Sequence, residues 1–69
     1  HQNKQTDGKY ILSSLDNALC ILNLFVPHSE LSTAEISELS GINKSTVFRF
    51  LVTLENRGFL IRNEKNKYQ

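Results

Sequence analysis

The sequence has little with which to do covalent chemistry. It holds one cysteine, Cys20, and two histidines, His1 and His28. A single cysteine allows no intramolecular disulfide, so the chain is not a stapled secreted scaffold, and an intracellular setting is expected. His1 lies in the leading tail and His28 follows the only proline, while Cys20 has no histidine near it in sequence. No nucleophile motif and no metal-ligand spacing results. Cys20 reads as a small hydrophobe rather than a redox sensor. The three glycines form no phosphate-binding loop. No apolar run approaches the roughly 20 residues that span a bilayer, and no signal-peptide pattern opens the chain. These absences argue against an enzyme, against a cofactor or metal site, and against a membrane protein. A soluble cytoplasmic domain is expected.

What is present fits one small domain. Sixty-nine residues bury a modest core and are marginally stable alone. The net charge of +1 conceals an uneven distribution. From Lys44 onward, Lys44, Arg49, Arg57, Arg62, Lys65 and Lys67 oppose only Glu55 and Glu64, a net +4. Before that point, Lys4 and Lys9 face Asp7, Asp16, Glu30, Glu35 and Glu38, a net −3. The basic half points toward an anionic partner. The competing reading of such a charge run is a solvated face.

Taken in order, residues 1–9 are polar and aperiodic, and a flexible lead-in is expected there. Ser13 or Ser14 can cap a first helix, with Asp16 in its first turn. Leu15, Ala18, Leu19, Leu22, Phe25 and Val26 form an apolar stripe at helical spacing, and Pro27 ends the helix. Asn17, Cys20, Ile21 and Leu24 lie largely on another side, so this helix carries more apolar surface than one core face needs. Either the lead-in or a later hairpin covers that side, or these four residues are contacts to a partner chain.

Ser32-x-x-Glu35 is a capping box, with Leu31 and Ile36 placed as its hydrophobic staple. Ile36 and Leu39 are expected to point inward, and Ser37 is small where two helices approach. Gly41 supplies the positive φ of a tight turn, and Ile42 plugs the angle. Asn43 caps a third helix whose buried face is Val47, Phe50, Leu51 and Leu54. Its other face carries Ser45, Arg49, Val52 and Asn56, flanked by Thr46, Phe48 and Thr53. Gly58 ends it. Residues 59–62 and 67–69 have strand character around a polar tip at 63–66, a β-hairpin after the helices. The expected fold is therefore mainly α with a small β-hairpin: a winged helix-turn-helix of three helices plus wing, over residues 10–69. The chain ends as the hairpin closes, which suggests a domain belonging to a longer protein.

The run from Leu31 to Leu60 closely resembles the DNA-binding domain of IclR-type bacterial transcriptional regulators. Lys44-Ser45-Thr46-Val47, Arg49 and Leu54-Glu55-x-Arg57-Gly58-Phe59-Leu60 are its most specific parts. Ser14-Leu15-Asp16-Asn17-Ala18-Leu19-x-Ile21-Leu22 matches the family's first helix. The resemblance implies a winged helix-turn-helix that dimerises on palindromic operators. It also implies a larger C-terminal domain that senses a small molecule; no such domain is present in this sequence. Phe48 stands where the family often has a polar ring residue, and the hairpin tip carries fewer glycines than the family's usual wing turn.

The residues assign a mechanism to this picture. The start of the third helix offers free N–H groups and the positive end of a dipole, which suits a phosphate. Asn43, Lys44, Ser45 and Thr46 cluster there, and Ser32 and Thr33 open the preceding helix. Arg49, one turn further on, is the candidate base reader through bidentate contact to guanine; its alternatives are a phosphate contact or an intramolecular pair. Phe48 can meet a thymine methyl group or pack under the wing. Arg62, Lys65 and Lys67 are placed to hold the DNA backbone or enter the minor groove. Arg57 is structural, near a helix C-terminus. Sequence-specific binding of double-stranded DNA by a regulator's reader domain is expected. The competing reading is a winged-helix module for protein interaction or assembly.

Overall fold

The computed structural model describes residues 10–69, and the expected lead-in over 1–9 lies outside the described residues. Three helices follow one another: α1 Ser13–Leu24, α2 Thr33–Ser40 and α3 Lys44–Asn56. The wing segment, 59–69, comes after α3. None of these helices is long and apolar enough to cross a membrane.

Local chemistry sets most boundaries. Ser32 Oγ accepts the Glu35 N–H at 3.1 Å, and the Glu35 carboxylate accepts the Ser32 N–H at 2.8 Å. That is a closed capping box, and the staple residues Leu31 and Ile36 are both buried in the core. α2 stops at Gly41, whose φ of +79° is left-handed and whose N–H reaches Ser37 O at 2.9 Å. The turn is then tied on both sides of Ile42. Its N–H donates to Ser40 Oγ at 3.1 Å, and its carbonyl accepts from Ser37 Oγ at 2.6 Å. The small residue at 37 therefore works as a hydroxyl donor as well as a spacer. α3 starts where Asn43 Oδ1 accepts the Thr46 N–H at 3.0 Å. It ends in a Schellman pair, with Gly58 N–H on Glu55 O and Phe59 N–H on Leu54 O.

α1 departs from expectation at its start and in its rotation. Leu12 is the N-cap, with no side-chain cap, and Ser13 and Ser14 stand inside the first turn. The Leu12 carbonyl already accepts the Asp16 N–H at 2.9 Å, so the first helical bond forms ahead of either serine. The core face is centred on Ile21, which is wholly buried, and not on the Leu15–Leu19–Val26 line. Leu15 and Leu19 are 55% and 50% exposed, and Val26 is more exposed still. A helix that is apolar on two sides satisfies the 3.6-residue period in either rotation. Packing against α2 and α3 selects the Ile21 side. Ile21 is thus unavailable as a partner-chain contact, and Leu24 is half-buried against the same core.

The core joins Ile21, Leu31, Ile36, Val47, Leu51, Leu54, Leu60 and Tyr68, with Leu22, Leu24, Phe25, Ile42 and Phe50 packed around it. Each buried aliphatic contributes about 1.5–3 kcal/mol relative to exposure. Leu39, expected inside, is 53% exposed. It borders a surface hollow with His28, Glu30, Leu31, Glu35 and Glu38, because α2 turns Ile36, Ser37 and Ser40 inward instead.

The wing is thinner than a continuous ribbon. Tyr68 forms isolated antiparallel bridges to Leu31 on one side and Arg62 on the other. Leu31 and Tyr68 exchange hydrogen bonds of 2.9 and 2.8 Å, and Ile61 and Gln69 exchange bonds of 3.0 and 2.9 Å. The tip is a turn closed by Asn66 N–H on Asn63 O, with Asn66 at φ +66°. Asn is the residue after Gly that best tolerates this left-handed conformation, so a tip poor in glycine still makes the turn.

Candidate nucleic-acid interface

α3 presents its polar residues around its own N-terminus. Lys44, Ser45, Phe48 and Arg49 are exposed, and Thr46 is half-buried. Asn43 holds this end in order: its Oδ1 accepts the Thr46 N–H and also the Ser45 hydroxyl at 2.9 Å. Ser45 therefore spends its proton inside the chain and offers an outside ligand only acceptor lone pairs. Lys44 and Arg49 form no ion pair with any described carboxylate. Their charge is free for an outside anion. The Arg49 backbone is steadied by Thr53, whose hydroxyl donates to Arg49 O at 2.9 Å. Phe48 is 48% exposed and is absent from the residues packed on the core.

An open groove of about 370 Å³ runs between α3 and the start of α1. Ser13, Ser14 and Asn17 line one wall, and Thr46, Arg49, Phe50 and Thr53 the other. The α1 residues are a contribution that sequence reasoning missed. By sequence, Asn17 groups with a candidate partner-chain face, and Ser13 or Ser14 reads as a helix cap. Only the rotation of α1 turns them toward α3.

The wing cations are arranged differently. Lys65 Nζ lies 3.4 Å from Glu30 Oε2, and Lys67 Nζ lies 3.7 Å from Glu35 Oε1. The Arg62 guanidinium sits 6.0 Å from the centre of the Tyr68 ring, at the outer limit of cation–π attraction. Each of the three has a partner within the chain, and none lines the α1–α3 groove. Ser32 and Thr33 are half-buried at the start of α2, where Ser32 is occupied by the capping box. Glu35 serves two elements at once. The Ser32 N–H holds its carboxyl below the usual glutamate range, burial opposes that, and Lys67 adds to the lowering.

Among the described residues no group of histidine, cysteine and carboxylate side chains is placed to hold a metal ion. Cys20 is exposed on α1.

Comparison with known proteins places this arrangement. Residues 14–64 match the IclR helix-turn-helix domain. The chain is 41% identical over 61 residues to the HTH-type transcriptional regulator XynR of Escherichia coli K12, covering 86% of this chain and 24% of that protein. It is 35% identical over 64 residues to the HTH-type transcriptional regulator KipR of Bacillus subtilis 168, covering 93% and 24%. It therefore spans about a quarter of the length of these curated relatives. A crystal structure of an IclR family transcriptional regulator from Brucella abortus superposes with a TM-score of 0.82 at 27% identity, over 100% of this chain and 27% of that one. These relatives are transcriptional regulators rather than enzymes. A helix-turn-helix with these caps, matched across residues 14–64 and aligned over most of its length with known regulators, makes the chain a member of the IclR helix-turn-helix domain family.

Proposed function

We propose that this domain binds double-stranded DNA sequence-specifically as the reader of a bacterial transcriptional regulator, with α3 in the major groove. The observation that carries this reading is that Lys44 and Arg49, on the exposed N-terminal half of α3, pair with no carboxylate among the described residues. Arg49 reads a base edge, Lys44 anchors a phosphate, and the α3 N-terminus adds backbone donors. Thr46 and Phe48 flank Arg49, Phe48 against a thymine methyl group. Ser32, Thr33 and Arg62 lie against the DNA backbone or the minor groove, while the wing lysines Lys65 and Lys67 stay with their carboxylate partners Glu30 and Glu35.

The same reading includes a homodimer on a palindromic operator, with the outward side of α1 between the copies. Tyr10, Ile11, Leu12, Leu15 and Leu19 leave large apolar surface exposed along the start of that helix. Contiguous exposed apolar surface of this kind marks a contact, and a second copy is the occupant that a two-fold operator requires. No effector role is assigned to these residues.

Titration of a random duplex over a salt series tests the reading. Affinity is expected to fall with a log–log slope of about −0.9 per phosphate neutralised. A chain that retains no duplex even at low salt overturns it and favours a protein-interaction module.

A further inference from the structure

Asn63 is the most fully bonded side chain of the wing. Its Oδ1 accepts the N–H groups of Lys65 and Lys67, both at 3.0 Å. Its Nδ2 donates to Glu30 Oε1 at 2.7 Å and to Gln69 Oε1 at 2.9 Å. A primary amide has two acceptor sites and two donor hydrogens, and all four are used. The amide orientation is fixed by the same network, since the flipped group would face two N–H donors with its own NH₂. Asn63 therefore both shapes the tip and fastens it to Glu30, 33 residues away in sequence. The second oxygen of Glu30 lies 3.4 Å from Lys65 Nζ. One carboxylate thus holds the wing in place and offsets a wing cation. Glu35 stands in the same relation to Lys67, at 3.7 Å.

We infer that Glu30 is a specificity-determining residue. It positions the wing through Asn63 while cancelling the charge of Lys65, so that sequence-independent phosphate binding by the wing is suppressed and discrimination is left to α3. The inference rests on the proposed DNA-binding function. A phosphate approaching Lys65 meets the Glu30 carboxylate well inside the Debye length of about 10 Å at 0.1 M salt. It must displace that carboxylate or share the lysine with it. Among the described residues, Lys44 and Arg49 face no such competitor. The basic character of the C-terminal half is therefore not spread evenly: its effective part lies on the helix that can read bases.

Glu30→Gln separates the two duties. The glutamine Oε1 still accepts the Asn63 N–H, so the wing stays fastened, while the negative charge is removed. Retained amide resonances of Lys65 and Lys67 check that the wing holds. Binding to random duplex and to an operator selected from random sequence is measured for both proteins over a salt series. The expected result is tighter binding of random duplex by the variant, a slope steeper by about 0.9, and a smaller operator-to-random ratio. Lys65→Gln supplies the second arm. It is expected to leave the slope of the wild-type protein nearly unchanged and to abolish the gain in the Glu30→Gln background. A Glu30→Gln protein with wild-type slope and ratio overturns the inference alone. So does a full loss of about 0.9 on Lys65→Gln in the wild-type background. A wild-type protein that binds neither duplex defeats the proposed function and this inference together.

Discussion

Arg49 projects from α3 with no carboxylate of the described chain in reach, and its backbone carbonyl is fixed by Thr53. A guanidinium carried on a helix and left unpaired is available for bidentate contact, because no ion pair with a described residue has to be broken first. Arg49→Ala is expected to lower affinity for the selected operator by about 1–3 kcal/mol and to relax preference at one base pair. Competition binding against single-base operator variants measures both effects. An equal loss on operator and random duplex shows that Arg49 touches only phosphate. Ser45 gives a contrast on the same turn: its hydroxyl hydrogen is committed to Asn43, so its replacement by alanine acts on the helix start as well as on any ligand.

At the scale of elements, the turn between α2 and α3 depends on one backbone conformation. Gly41 has φ +79°, and nothing lies within 4 Å of the position a Cβ would take. Gly41→Ala therefore brings no clash, only the intrinsic cost of a left-handed residue, about 1–2 kcal/mol. Gly41→Asn is expected to cost less, and chemical denaturation of the three proteins measures the order. Equal losses for alanine and asparagine would show that the turn resists any side chain. The capping box gives a second prediction. Glu35 has its carboxyl pK lowered in the folded chain, chiefly by the Ser32 N–H. A lowered folded value means that the charge stabilises the fold above the ordinary glutamate range, and that this part is lost as pH falls through the folded value. Glu35→Gln keeps the box geometry and removes the charge. The melting temperature of the wild-type protein is expected to exceed the variant's near neutral pH, and the gap to close as pH falls below the ordinary glutamate range. A gap independent of pH would assign the effect to geometry alone.

These elements also show which parts of the fold were legible in the sequence. The caps at Ser32 and Asn43, the glycines at 41 and 58, and the buried face of α3 were readable because each depends on residues within about four positions of one another. α1 was readable as a helix but not in its rotation, since both of its sides are apolar and only tertiary packing chooses between them. The wing tip gave its turn through Asn63 and Asn66, but the Glu30–Asn63 link spans 33 residues and leaves no periodic trace. For the same reason the charge of Lys65 and Lys67 was legible while their pairing was not.

At the scale of the whole molecule, the polar groove and the exposed apolar surface both involve α1, on different sides of it. Ser13, Ser14 and Asn17 face α3 across the groove, while Leu15 and Leu19 are exposed with Tyr10, Ile11 and Leu12. A contact between copies through that second set leaves both recognition helices uncovered, as two-fold binding to DNA demands. Half-sites in operators selected from random sequence are then expected to be inverted repeats, with centres one helical turn or a multiple of it apart. Leu15→Glu with Leu19→Glu changes two exposed positions, so the fold is expected to survive. Binding to a single half-site should be nearly retained, and the steep dependence on protein concentration expected with the full operator should be lost. Sedimentation in the presence of the operator reads the stoichiometry directly. Two copies per operator for the wild-type protein and one for the variant is the expected result; two copies bound by both proteins would remove α1 from the interface.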